Sequence, residues 1–262
     1  MVKKKPVGKP SSSKQLKSRP IVQKEHPWRQ CPVGHHWVRP QVKHREPSKR
    51  HPDGVVPYGS FCRLNPSRKS SIYPEELGFI SEKYFKGLGK TLSQDPDFKK
   101  RDQFDDLIVG WTKYWNDIFK PTELLEAELV KALIATESSF NIKVKDKDAG
   151  KAGKARGILQ VTDEAQKAMN ESTSEINDYL VHVTRKELKD PNLNIAAGVR
   201  WLFHKKALTD SMLGRPSSWY EAIIFYKGYR DAYLAGKSIQ EMSGADKINK
   251  AYKRITGKDL KK

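Results

Sequence analysis

From Tyr73 to the C-terminus, apolar side chains recur at intervals of three and four residues, and no segment there alternates convincingly like a strand. That period matches one face of an α-helix, so this stretch can bury its apolar side chains only as a set of packed helices. Phe98, Phe104, Leu107, Ile108, Trp111, Tyr114, Trp115 and Ile118 show it most clearly, in a run opened by Asp95-Pro-Asp97 and broken by Phe119-Lys-Pro121. Pro74 followed by Glu75 and Glu76 marks an earlier start, because proline and acids suit a first helical turn. A helix is expected from Pro121 to Glu137, and others at 163–170, 192–208, 217–227 and 246–255. Asp190-Pro191 ahead of Leu193, Ile195, Ala196, Val199, Trp201 and Leu202 signals the start of one of them. Residues 141–156 read as a short hairpin or loop. The whole of 73–262 is of ordinary size for one mainly helical domain.

The first quarter of the chain is built differently. The net charge of +19 is concentrated there: residues 1–70 hold 17 Lys and Arg against 3 Asp and Glu, and the remainder holds 33 against 28. Such an excess suits an anionic partner (nucleic acid, anionic lipid or acidic wall polymer) without choosing among them. Residues 1–24 are mostly Lys, Ser and Pro and are expected to form a disordered arm, since they have too little apolar surface to offset ordering entropy. No apolar stretch follows Lys3–Lys5 as a signal peptide would require, and no segment approaches the length of a membrane span.

Residues 25–72 carry both cysteines, Cys31 and Cys62, and His26, His35, His36, His44 and His51. Their proline and glycine punctuation, with Trp28, Trp37, Tyr58 and Phe61 between, points to a small β-rich module. So short a module benefits from a staple. One candidate is structural zinc on Cys31 and Cys62 with two of His35, His36, His44 and His51, of which His36 and His51 are the lead pair. A Cys31–Cys62 disulfide is another, suited to a protein that works outside the cytosol. Solvated histidines with buried thiols are the third. The spacing leaves all three open.

Among the acids, Glu137 stands out. At about 100° per residue it lies within about 60° of Val130, Leu133 and Ile134, on the apolar side of its helix. Burial and the negative end of the helix dipole both favour a protonated carboxyl, which an acid catalyst needs. A capping or surface role neutralising a nearby cation is the plain alternative for a helix-end glutamate.

Four blocks give Glu137 a context. Glu137-Ser-Ser-Phe-Asn141, Ala155-Arg-Gly-Ile-Leu-Gln-Val-Thr162, Asp190-Pro-Asn-Leu-Asn-Ile-Ala-Ala-Gly198 and Ala222-Ile-Ile-Phe-Tyr-Lys-Gly228 follow in order. Over about residues 121–235 this pattern resembles the soluble lytic transglycosylases, peptidoglycan-cleaving members of the lysozyme-like superfamily. The resemblance implies a lysozyme-like helical domain that needs no cofactor for catalysis, with Glu137 as a single acid and base. It also implies that Ser138, Gly157, Gln160, Tyr226 and Lys227 line the sugar-binding groove and that peptidoglycan glycan strands are the substrate. Thr162 as a helix cap and Tyr226 as core packing are the simpler readings of those positions.

Two features depart from the family pattern. Lys227 stands where the family usually has Asn; it lacks an acceptor and, if it approached Glu137, would favour the carboxylate. The loop after Glu137 holds Asp146 and Asp148, either of which would be a second carboxylate for a hydrolytic muramidase, although Lys145, Lys147 and Lys151 around them suit a solvated charged loop. A non-catalytic protein that binds nucleic acid or cell wall through its basic N-terminus is an expectation of a different class. Because peptidoglycan lies outside the cytoplasm, delivery by a phage or a specialised secretion machine is expected in the absence of a signal peptide.

Overall fold

Proline at a helix start and a carboxylate just before it set the longest helix of the molecule. Asp190 accepts a hydrogen bond from the Leu193 N–H at 3.0 Å, and Pro191 occupies the first turn. In the computed structural model, which describes residues 23–99, 101–238 and 241–260, the helices are α1 Pro74–Tyr84, α2 Pro96–Lys99, α3 Asp105–Phe119, α4 Ala127–Ser138, α5 Asp163–Asn170, α6 Pro191–Leu213, α7 Trp219–Tyr226, α8 Arg230–Leu234 and α9 Ser243–Thr256. The strands are β1 His35–Val38, β2 Gln41–His44, β3 Val55–Tyr58, β4 Phe61–Leu64, β5 Ser71–Ile72, β6 Lys147–Asp148, β7 Lys154–Arg156, β8 Val161–Thr162 and β9 Leu180–Val181. The protein is mainly α-helical. The basic arm expected at 1–24 lies almost wholly outside the described residues.

Helix α6 is the spine. Leu193 through Phe203 are all buried, so the helix is covered on every side rather than on one stripe. Helix α3 lies against it and ties two indole N–H groups to it, Trp111 to Asn192 Oδ1 at 2.7 Å and Trp115 to the Ala196 carbonyl at 3.0 Å. Helix α4 packs on α3 and α9. Its Leu129, Val130, Leu133 and Ile134 share a core with Ile248 and Ile255 of α9. Every residue of α7 from Trp219 to Phe225 is buried, and a capping box between Ser218 and Glu221 fixes its start.

Two helix starts differ from expectation, and the helix expected to end at 208 runs on to Leu213. The run expected from Asp95 to Ile118 is two helices, because Asp105 starts afresh with its carboxylate on Lys131 Nζ at 2.9 Å and on the Thr91 hydroxyl at 2.8 Å. The helix expected from Pro121 begins only at Ala127. The Asn116 side chain brackets Leu125, donating to its carbonyl and accepting from its N–H, and that pairing holds 121–126 out of the helix.

In the N-terminal segment β1 pairs antiparallel with β4 and β2 with β3, from His35 opposite Leu64 to His44 opposite Val55. Cys31 and Cys62 form a disulfide. That corrects the zinc alternative: both sulfurs are taken, His36 bonds Asn65 Oδ1 at 2.7 Å, and His51 lies at the ribbon tip beside Ser48. Among the described residues no group of three His, Cys, Asp or Glu is placed to hold a metal. The segment is tied to the helices by buried Arg29, which donates to Glu76, Glu25 and the Ser71 carbonyl, and by parallel pairing of β5 with β9. No described helix is long and apolar enough to cross a membrane.

Candidate functional site

Glu137 sits one residue before the end of α4, and the chain turns sharply beyond it. Ser139 and Phe140 both adopt left-handed backbone, with φ of 53° and 63°. Such conformations cost a non-glycine residue on the order of 1 kcal/mol and gather where the surroundings enforce them. Here the buried Phe140 ring supplies the force, seated 6.4 Å from Phe98. The Ser138 hydroxyl turns back to the Ile134 carbonyl at 3.2 Å, so it seals its own helix and does not line the cleft in front of Glu137.

That cleft has a volume of about 430 Å³. One wall is the antiparallel sheet β6–β7–β8, the short hairpin expected between 141 and 156 with one further strand. Arg156 clamps the sheet, donating to Asp163 at 2.6 Å and meeting Asp146 at 3.3 Å. The Lys154 N–H holds Asp163 below the usual carboxylate range; Arg156 and Arg185 add to this against the opposing effect of burial. Asp146 is thereby a partner of the clamp and lies off the cleft. Asp148 does line it, with Oδ1 accepting the Gly150 N–H at 2.8 Å.

The floor comes from the turn between β7 and β8. Gly157 has φ +69°, and a Cβ there would lie 2.2 Å from Asn194 Nδ2 and 2.3 Å from the Leu188 carbonyl. Its glycine is needed for the backbone to approach α6, and it does not face the cleft. Asn194, fully buried, stitches the turn down: it accepts from the Leu159 N–H and donates to the Arg156 and Leu188 carbonyls. Gln160 follows at φ 50° and lines the cleft; its amide N–H donates to the Gly157 carbonyl at 2.8 Å. Its buried Oε1 has no hydrogen-bond partner among the described residues. Thr162 caps α5 by accepting the Ala165 N–H.

The far wall is the C-terminal end of α7. Tyr226 donates its hydroxyl to the Leu159 carbonyl at 2.8 Å. Burial, and then the negative charge of Glu137, push this phenol well above its usual range, so it stays a neutral donor. Lys227 places Nζ 2.7 Å from Glu137 Oε1, with side chains 15% and 11% exposed. From the opposite wall Lys147 donates to the Glu137 backbone carbonyl at 2.8 Å. Two ammonium groups thus flank one glutamate.

Of the residues expected in the groove, Glu137, Gln160, Tyr226, Lys227 and Asp148 come together, and Ser138, Gly157 and Asp146 support the walls from behind. Three residues that shape the site went unassigned from sequence: Lys147, Arg156 and Asn194. Asn194 lay within the Asp190–Gly198 block, and an amide in the first turn of a helix among apolar residues was the available signal.

A helical body with a cleft walled on one side by a short antiparallel sheet, and a glutamate at the end of a buried helix, defines a lysozyme-like domain. The family model of the transglycosylase SLT domain matches residues 119–249, half of the chain, and the chain belongs to that family. The match runs from the end of α3 into α9 and takes in every residue lining the cleft. The domain is that of peptidoglycan lytic transglycosylases, so the protein is an enzyme of that class and acts on the cell wall. Comparison with curated proteins and with solved structures gives no match.

Proposed function

We propose that the protein cleaves the glycosidic bond between N-acetylmuramic acid and N-acetylglucosamine, with Glu137 as its one acid and base. The observation that carries this reading is a carboxyl at a helix end, facing a cleft floored by Gln160 and walled by Tyr226, while the cleft's other acid, Asp148, is turned to the Gly150 N–H. Glu137 in its acid form donates its proton to the glycosidic oxygen as the bond from that oxygen to C1 of the muramic acid breaks. The carboxylate then accepts the proton of the sugar's own C6 hydroxyl as O6 bonds to C1. The product is a 1,6-anhydromuramic end, no water is consumed, and Glu137 returns to its starting state. Since the substrate supplies the nucleophile, one carboxyl replaces the pair that hydrolysing glycosidases use. The Gln160 Oε1 acceptor and the Tyr226 hydroxyl are suited to hold sugar hydroxyls and the floor of the groove in register.

A second open depression, about 850 Å³, shares Ala152 with the cleft and gives length for a polymer. The Cys31–Cys62 disulfide suits an oxidising location, as cell-wall action requires. The exposed ribbon β1–β4 carries Arg39, Lys43, Arg45 and Arg63, a charge that suits an anionic wall polymer.

The test is digestion of purified peptidoglycan with mass spectrometry of the soluble products. Wild type is expected to release anhydromuramic ends, and Glu137→Gln to release none. Release of reducing ends instead would replace this reading with hydrolysis, and undiminished release by Glu137→Gln would remove Glu137 from its role.

A further inference from the structure

The Lys227–Glu137 pair poses a chemical problem. Lys227 Nζ lies 2.7 Å from Glu137 Oε1, in the place a leaving glycosidic oxygen would take beside that carboxyl. Something must take the lysine away at the moment of reaction. Among the described residues Glu137 is the one hydrogen-bond acceptor of that ammonium, which has three protons to donate. The titratable groups facing Glu137 are Lys227 and the neutral Tyr226 from the end of α7, and Lys147 and Asp148 from β6. Two cations against one remaining acid would greet any ligand that displaced Glu137 from its partner. The stem of Lys227 is supported by α9, where Cε lies 3.0 Å from the site of a Cβ on Gly244.

We propose that Lys227 selects glycan whose muramic acid carries a free carboxylate, that is, strands from which the stem peptide has been removed. The lactyl group of muramic acid is borne on the same ring as the reacting C1; in peptide-bearing glycan its carboxyl is a neutral amide, and in peptide-free glycan it is an anion. That anion replaces Glu137 on Lys227 and leaves Glu137 Oε1 free to face the glycosidic oxygen in the first step. The charge on the substrate thereby arms the catalyst. This inference rests on Glu137 being the acid of the proposed reaction, and it adds the substrate form on which that acid works.

The experiment has a turnover arm and a binding arm. In the first, peptidoglycan is compared before and after removal of stem peptides by an amidase, with wild type and with Lys227→Gln. Wild type is expected to cleave the peptide-free strands about tenfold more efficiently, and Lys227→Gln to lose that preference. In the second, calorimetry measures binding of soluble peptide-free glycan fragments and of the same fragments with their carboxylates converted to amides. Wild type is expected to bind the carboxylate form about tenfold more tightly. Lys227→Gln is expected to bind both forms alike. Equal binding of the two forms by wild type, or a preference that survives in Lys227→Gln, overturns the proposal. Binding is read whether or not turnover occurs, so loss of the carboxylate preference and failure of the proposed reaction give different results.

Discussion

Helix α4 contributes to two lysine–carboxylate pairs of nearly equal length, and their surroundings make them opposites. Lys131 and Asp105 meet at 2.9 Å with side chains 1% and 2% exposed, and both also bond the Thr91 hydroxyl. Every strong donor and acceptor there has a partner, as a buried pair requires. Lys227 and Glu137 meet at 2.7 Å at the edge of an open cleft, and neither has another side-chain partner among the described residues. Contact distance therefore says little about what a pair does. Spare hydrogen-bonding capacity next to solvent-accessible space separates a pair that can be exchanged from one that only holds helices together.

The comparison can be broken in several places. The largest effect is expected from Glu137→Gln, which should lower turnover of peptidoglycan by about three orders of magnitude or more while leaving the denaturation midpoint nearly unchanged. A loss of turnover accompanied by unfolding would make Glu137 structural, like its neighbour. Next comes Lys131→Met, which strands the Asp105 carboxylate in the core. Chemical denaturation should show a loss of about 3–5 kcal/mol, most of it recovered when Asp105→Leu is added. A loss below about 1 kcal/mol would mean that the buried pair is no more structural than the one at the cleft edge.

A smaller effect is expected from pH. Burial holds the imidazoles of His26, His182 and His204 below their usual range, in His26 against the pull of Asp117 and in His204 against that of Glu175. The unfolded chain takes up these protons near the ordinary value of about 6.5, where the folded chain resists them. Below that value the unfolded state binds more protons, so stability should fall as pH drops from about 7 to about 5. Denaturation midpoints across that window check this, and His182→Gln should flatten the slope. A flat profile in the wild type would mean these rings are not held neutral. The smallest effects are expected from Asp146→Asn and Asp148→Asn. Each should leave release of anhydromuramic ends within about twofold, since Asp146 is occupied by Arg156 and Asp148 by the Gly150 N–H. A large loss in Asp148→Asn would return a second carboxylate to the mechanism.

Local chemistry in the chain was readable where the cause is local. Asp190-Pro191, Thr162 and the period of apolar residues in α5 and α9 mark helices within a few residues of where they lie. The delayed start of α4 was not readable, because its cause is an amide on another helix, Asn116. The staple in the N-terminal segment was one of three alternatives, and only the pairing of β1 with β4 brings Cys62 to Cys31. The place of Glu137 at the cleft was legible from four spaced blocks. Its contact with Lys227 is made across 90 residues of sequence and depends on how α7 ends beside α4. Gly157 and Ser138 were read as floor and contact of the groove, yet each is fixed by a neighbour that no spacing rule names, Asn194 for one and the Ile134 carbonyl for the other.

The central claim is that one carboxyl, Glu137, works with a nucleophile supplied by the sugar itself. Digestion in water labelled with heavy oxygen tests it most directly. Anhydromuramic ends that carry none of the label are predicted; new muramic reducing ends in their place would contradict the claim, because each such end consumes one water.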